Sequence, residues 1–236
     1  MKILTLIPSY RPRIDRLAAI VSELSTVSHV YIFSPERSVS QLATWIECDQ
    51  NVKENLVFEP RRFLQRIDTN YYDYVFYNED DISVTGEQLK KLIEIQRTLP
   101  DTMSVGPIRY EVLNGKRMFI DLHPAHSVHT GGNGSSDIIR WKNQTYFQPW
   151  NVHSGNFLLS SRQLKSLMET NRFDTFFGEH NIRYCGCLES GATSVYRSLT
   201  KVVPIEYDSF CVEHLATKYG SVPNTPSDSE LQTLLK

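Results

Sequence analysis

Tyr74-Val75-Phe76-Tyr77-Asn78-Glu79-Asp80-Asp81 decides how this chain is read: an apolar, aromatic run with the pattern of a buried strand ends in three consecutive carboxylates. Three adjacent negative charges repel one another, so a fold tolerates them at a strand end when a cation or solvent absorbs the charge. In an open α/β sheet the carboxyl ends of the strands are where ligands dock. Hard divalent cations take oxygen ligands there and bridge carboxylates to phosphates. The triplet therefore points to a metal–diphosphate site. The competing reading is a solvated turn into a helix starting near Thr85, with Asp81 or Ser83 close to its N-terminus.

Strand and helix patterns alternate around this stretch. Lys2 to Ile7 reads as a strand and Ile14 to Leu24 carries helical spacing, with Ile14, Leu17, Ala18, Val21 and Leu24 on one face. His29 to Phe33 is a second strand, Ser40 to Ile46 a short helix, and Leu56-Val57-Phe58 a third strand. A short helix over Arg62 to Ile67 precedes the Tyr74–Tyr77 strand, and Gln88 to Leu99 is helical. Such alternation predicts an α/β fold with a Rossmann-like, mostly parallel central sheet and helices on both faces.

Beyond Pro100 the strands shorten: Met103–Val105, Arg109–Leu113 and Arg117–Leu122, the last two joined by an Asn114-Gly115 hairpin turn. Residues 123–139 read as a glycine-rich loop, followed by a strand within Val152–Leu159 and a helix over Ser161–Met168. A helix over Glu189–Leu199 and a strand at Val202–Glu206 complete the pattern. The expected organisation is one domain over 1–218, with a nucleotide-binding half (1–107) and a smaller acceptor half (108–218). Residues 219–236, rich in Ser, Pro and Thr, are expected to be a loosely held tail.

Composition narrows the partners. The 236 residues are 40% hydrophobic and 22% charged, with net charge −2, and the pI is near 6.4. That balance offers no footprint for nucleic acid or an anionic membrane. No apolar run approaches the roughly 20 residues of a membrane span. Met1 to Ile7 is too short for a signal peptide, so the expected location is cytoplasmic. Cys48, Cys185, Cys187 and Cys211 follow no zinc or CxxC spacing and read as free thiols.

Several segments in order carry a resemblance. The Pro8-Ser9-Tyr10-Arg11 turn after the first strand, with the triplet after the fourth, resembles the GT-A class of nucleotide-sugar glycosyltransferases. Within it, Arg62-Phe63-Leu64-Gln65-Arg66-Ile67 through Asp81-Ile82 resembles the exostosin-like family, as do Ser154-Gly155-Asn156-Phe157-Leu158 and Glu189-Ser190-Gly191-Ala192. The matches are short and span most of residues 2–215.

The resemblance implies transfer of a sugar from a nucleoside diphosphate, a UDP-sugar favoured, to a carbohydrate or lipid-linked acceptor, as in surface-polysaccharide synthesis. It implies Mn²⁺ or Mg²⁺ held by Asp81, with Glu79 and Asp80 reaching the ribose or a metal-bound water. His214 stands where a further ligand is expected, and imidazole suits Mn²⁺ better than Mg²⁺. Pro8, Ser9, Tyr10 and Arg11 would hold the base, ribose and phosphate, and Arg62 a donor phosphate, with Arg61 a near-equal alternative. Trp150, Asn151, Gly155 and Asn156 fall on the acceptor side.

The family's catalytic Glu-Asp pair is Glu189-Ser190 here, so Glu189 is the candidate carboxylate and Glu179 a substitute; helix-terminal placement is the plainer account of Glu189. His123, His126 and His129 form a competing metal constellation, but Pro124 and the following glycines interrupt a helix. That segment reads as a mobile loop over the acceptor site. Two other functions fit parts of the pattern: a sugar nucleotidyltransferase, which lacks its Gly-rich phosphate loop here, and a non-catalytic sugar- or nucleotide-binding relative.

Overall fold

The computed structural model describes residues 1–10, 14–36, 41–122, 137–149, 151–153, 155–169, 173, 191–216 and 220–235. The chain is a mixed α/β protein built on three mixed sheets, which corrects the expectation of a single Rossmann-like sheet. The largest contains β1 (Ile3–Pro8), β2 (His29–Ser34), β3 (Thr44–Glu47) and β4 (Tyr74–Asn78), in the parallel order β3-β2-β1-β4. A further strand, Asn156–Ser160, adds antiparallel to the free edge of β4.

Burial on both faces explains the apolar runs. Ile3 and Ile7 of β1 and Phe76 of β4 pack in one core with α1 (Ile14–Ser25). Leu4, Leu6, Val75 and Tyr77 face the other core, with Leu64 of α2 (Glu59–Leu64). The helix α3 (Gly86–Gln96) closes the first layer with Leu89, Leu92 and Ile93, and it opens on a capping box between Thr85 and Gln88. The helix α4 (Ser161–Met168) closes the second with Leu164 and Leu167.

The other sheets are smaller. One joins β5 (Ile82–Ser83), β7 (Ile108–Leu113) and β8 (Lys116–Phe119) through Cys211–His214 in the order β5-β13-β7-β8. The other runs β6-β12-β10-β9, from β6 (Met103–Val105), β9 (Ile138–Trp141), β10 (Gln144–Phe147) and β12 (Thr200–Pro204). The edge strand of the first sheet is thus β11 and Cys211–His214 is β13. Asn114 and Gly115 turn the β7–β8 hairpin with φ of 51° and 75°, the positive pair of a type I′ turn.

Several local expectations change. The helix expected over Arg62–Ile67 is α2, Glu59–Leu64. The expected strand Arg117–Leu122 ends in a 3-10 helix at Ile120–Leu122, and within the helix expected over Glu189–Leu199 residues Ser194–Arg197 are 3-10. The stretch expected as a helix to Ile46 ends in the edge strand β3, because Trp45 and Ile46 pair with β2. Leu56–Phe58 closes a 3-10 helix, Gln50–Phe58, and is buried under the sheet rather than paired in it. Both are short apolar runs, whose periodicity cannot separate strand from helix. The C-terminal stretch expected to be loosely held contains α5 (Asp228–Leu234), opened by a Ser227/Glu230 capping box and buried through Leu231. Arg117 on β8 bridges Asp208 and Asp228, at 2.7 Å each, which fastens that helix down.

Among the described residues no helix is long and apolar enough to cross a membrane. Cys48 and Cys211 are free and buried, and burial pushes their thiols up to about 11 and about 12. Cys185 and Cys187 lie outside the described residues.

Lys201 of β12 is 0% exposed, and its Nζ has no hydrogen-bond partner among the described residues. Burial lowers its ammonium to about 7, against a partial lift from Asp121. An unfolded lysine keeps its proton up to about pH 10.4, so the unfolded chain binds more protons between the two values and stability rises with pH across that window. Lys201→Met should raise the free energy of unfolding at pH 7 by on the order of 3 kcal/mol. The gain should fade as pH approaches 10; denaturant titrations at both pH values check it.

Candidate functional site

The chain leaves β1 toward β2 and β3 on one side and returns as β4 on the other. The carboxyl ends of β1 and β4 are therefore the topological switch point, where open α/β sheets take ligands. Pro8 ends β1, and Ser9 follows, 1% exposed, with its N–H donating to Phe33 O at 2.8 Å. Ser9 Oγ donates across the switch point to Asp80 Oδ2 at 2.5 Å. Burial raises the Asp80 carboxyl to about 6, with the Ser9 bond opposing and the neighbouring Asp81 adding to the rise. Tyr10 is half-buried against the core on the α2 side, and Arg11 lies outside the described residues.

The triplet is a tight turn between β4 and β5. Asn78, fully buried, donates through Nδ2 to the carbonyls of Glu79 and Ile82, each at 2.9 Å, and so fixes the turn's path. Glu79 N–H donates to Gly155 O at 2.8 Å, tying the turn to the entry of β11. Gly155 has φ +64°, and a Cβ there would stand 2.7 Å from Ile82 Cγ1 and 2.9 Å from Glu79 Oε2. Glycine is required at this position for both reasons.

Strand β13 brings the remaining groups in. It pairs antiparallel with β5, His214 opposite Ile82, and parallel with β7, Glu213 opposite Tyr110. That register sets His214 beside both the triplet and Glu111. His214 Nε2 lies 3.4 Å from Asp81 Oδ2, and Nδ1 lies 2.6 Å from Glu111 Oε1. A carboxylate only accepts, so Nδ1 carries the proton on the Glu111 side. Burial pushes the Asp81 carboxyl up, but the hydrogen bond and charge that His214 supplies when its ring is protonated, together with the charge of Arg109, outweigh it and hold it below its ordinary value.

Arg109, also on β7, is buried with Asp121: Nη2 and Nε reach Asp121 Oδ1 at 2.7 and 2.9 Å. Its Nη2 also donates to His153 O at 3.2 Å.

Two observations test whether a divalent cation fits. Asp81 Oδ1 is buried with no hydrogen-bond partner among the described residues. With the ring neutral and its proton on Nδ1, His214 Nε2 and Asp81 Oδ2 are two acceptors facing each other, and a proton or a cation between them reconciles the pair. Metal–ligand bonds of about 2 Å each span that separation. Among the described residues no group of three or more His, Cys, Asp or Glu side chains is placed to hold a metal. The donors fit a cation that draws its other ligands from water and a substrate's phosphates, the usual habit of Mg²⁺.

The structure thus brings together Ser9, Glu79, Asp80, Asp81, Gly155 and His214. Arg62 pairs with Glu59 within α2. Arg61 is 1% exposed, and its guanidinium donates to the carbonyls of Phe173 and Gly191. Asn151 is buried, its N–H donating to Asp121 O at 3.1 Å and its Oδ1 accepting from His153 N–H at 3.0 Å. Asn156 is fully buried in β11 opposite Asn78. Trp150, Glu179, Glu189, Ser190 and the histidines at 123, 126 and 129 lie outside the described residues.

Sequence reasoning missed Glu111, Arg109, Asp121 and Asn78. The one signal in the sequence is Arg109 and Glu111 at alternate positions of a strand, which sets two opposite charges on one face.

Comparison with protein-family models and with curated proteins gives no match. Gly155→Ala should destabilise the protein by about 1–3 kcal/mol, because it adds strain at positive φ and displaces Glu79; urea unfolding of the variant measures it.

Proposed function

We propose that the chain is a metal-dependent glycosyltransferase of the GT-A type, moving a sugar from a nucleoside diphosphate, a UDP-sugar favoured, to a carbohydrate or lipid-linked acceptor. The observation that carries the reading is the meeting of Asp81 and His214 beside the Ser9–Asp80 bond, at the switch point of the parallel strands. A cation bound there would offset the charge that builds on the departing diphosphate.

Each group has a part in that chemistry. Asp81 and His214 hold the cation, and the imidazole favours Mn²⁺. Asp80, oriented by Ser9, faces the ribose, with Tyr10 toward the base. Glu79, fixed by Gly155, completes the anionic wall. Glu189 is the proposed carboxylate at the sugar, with Glu179 its substitute. Gly191, two positions further along the chain, supports this: a Cβ on it would stand 2.6 Å from the Tyr77 hydroxyl on β4, and Arg61 grips its carbonyl. Arg61 therefore acts as an internal clamp, and the donor-phosphate role is proposed for Arg62, which pairs with Glu59 in α2.

Thermal shift with UDP, GDP, CDP and ADP, each with Mn²⁺ or with EDTA, tests the reading. With Mn²⁺ and UDP at about a hundred times its Kd, the midpoint should rise by roughly 5–10 °C. The rise should vanish with EDTA and in Asp81→Asn and His214→Ala. A rise indifferent to EDTA and to both substitutions, or none with any nucleotide, would overturn it.

A further inference from the structure

His214 is held at its far side by a residue that the triplet pattern does not announce. Glu111 is buried, and its two carboxylate oxygens are divided between distant parts of the chain. Oε1 accepts from His214 Nδ1–H at 2.6 Å, and Oε2 accepts from Gly220 N–H at 2.5 Å. Resting on the cation reading above, we propose that Glu111 is the positioning residue of that site and that the chain at Gly220 locks it in place.

The physics follows from the two ends of one ring. A metal-bound imidazole characteristically gives its other N–H to a carboxylate, which fixes the tautomer and ring angle and raises the basicity of the binding nitrogen. With the proton held on Nδ1 by Glu111, the Nε2 lone pair is directed at Asp81. Without Glu111 either nitrogen could carry the proton, and the ring would lose that anchor. The order Asp81, His214, Glu111, Gly220 thus runs from the cation to the C-terminal segment.

Gly220 fits this role closely. A Cβ on it would stand 3.1 Å from Glu111 Oε2 and 3.2 Å from Glu111 Cβ, so any side chain there presses on the carboxylate. The segment that follows is fastened to the hairpin carrying Glu111. Phe119 N–H donates to Pro226 O at 2.8 Å, and Arg117 grips Asp228. The stretch that composition marks as a tail therefore supports the site.

The test is Mn²⁺ titration followed by the electron paramagnetic resonance of free Mn²⁺, with UDP at constant concentration. It is paired with long-range ¹H–¹⁵N NMR of the His214 ring in the metal-free protein. Glu111→Ala should weaken Mn²⁺ binding roughly 10–100-fold and abolish the fixed Nδ1–H signature. Glu111→Gln, which keeps an acceptor oxygen, should lose less. Gly220→Ala leaves every donor side chain in place and should still weaken Mn²⁺ binding, with its thermal midpoint showing an intact fold. It and Glu111→Gln carry the test if Glu111→Ala does not fold. If Asp81→Asn and His214→Ala abolish Mn²⁺ binding while the Glu111 and Gly220 variants change neither affinity nor tautomer, the positioning role alone is overturned. If Asp81→Asn and His214→Ala also leave binding unchanged, the cation reading fails first.

Discussion

The compensation of negative charge where β4 ends is the constraint on which the arrangement depends. Its strand is buried on both faces, so the three carboxylates that follow leave the core together, and the residues that carry them are each tied to a different element. Asp80 is met by the turn after β1, Asp81 by β13, and the Glu79 backbone by the entry to β11. Leu215 N–H also donates to Asp81 O at 2.8 Å, which ties the small β5-β13-β7-β8 sheet to the large one at this point. The site is thus also the joint between two sheets.

The neighbours drive the two aspartates in opposite directions. Burial leaves Asp80 at about 6, while His214 and Arg109 keep Asp81 ionised despite its burial. Adjacent carboxylates pushed apart in this way are fitted to different tasks. Asp81 has the character of a permanent anion suited to a cation, and Asp80 that of a group suited to a hydrogen bond with a hydroxyl. Behind them the Arg109–Asp121 pair is fully engaged within the fold, so Arg109 acts on Asp81 through its charge. Removing one partner of such a buried pair leaves an uncompensated charge, which is the costly case.

The sequence made legible what depends on local pattern. The boundaries of α4, the existence of the β1 and β4 strands to within a residue at each end, and the Asn114-Gly115 turn follow from apolar periodicity, caps and turn chemistry. It did not reveal how strands are apportioned to sheets, because pairing of β13 with both β5 and β7 joins segments more than a hundred residues apart. Glu111 and Gly220 could not be assigned a role for the same reason: a glutamate alternating with an arginine in a hairpin strand and a glycine in a polar stretch acquire meaning only when the register sets them beside His214. His214, read as a metal ligand from its position near the C-terminus, lies beside Asp81, and the Arg62 reading met a helix in which the buried arginine is Arg61.

Diffraction from crystals soaked in Mn²⁺ and UDP, collected to record the anomalous signal of manganese, tests the central claim most directly. The account predicts a manganese peak in contact with both Asp81 Oδ2 and His214 Nε2, its remaining ligands including oxygens of the UDP diphosphate. Manganese bound elsewhere, or UDP bound at the switch point with no metal between it and Asp81, would contradict it.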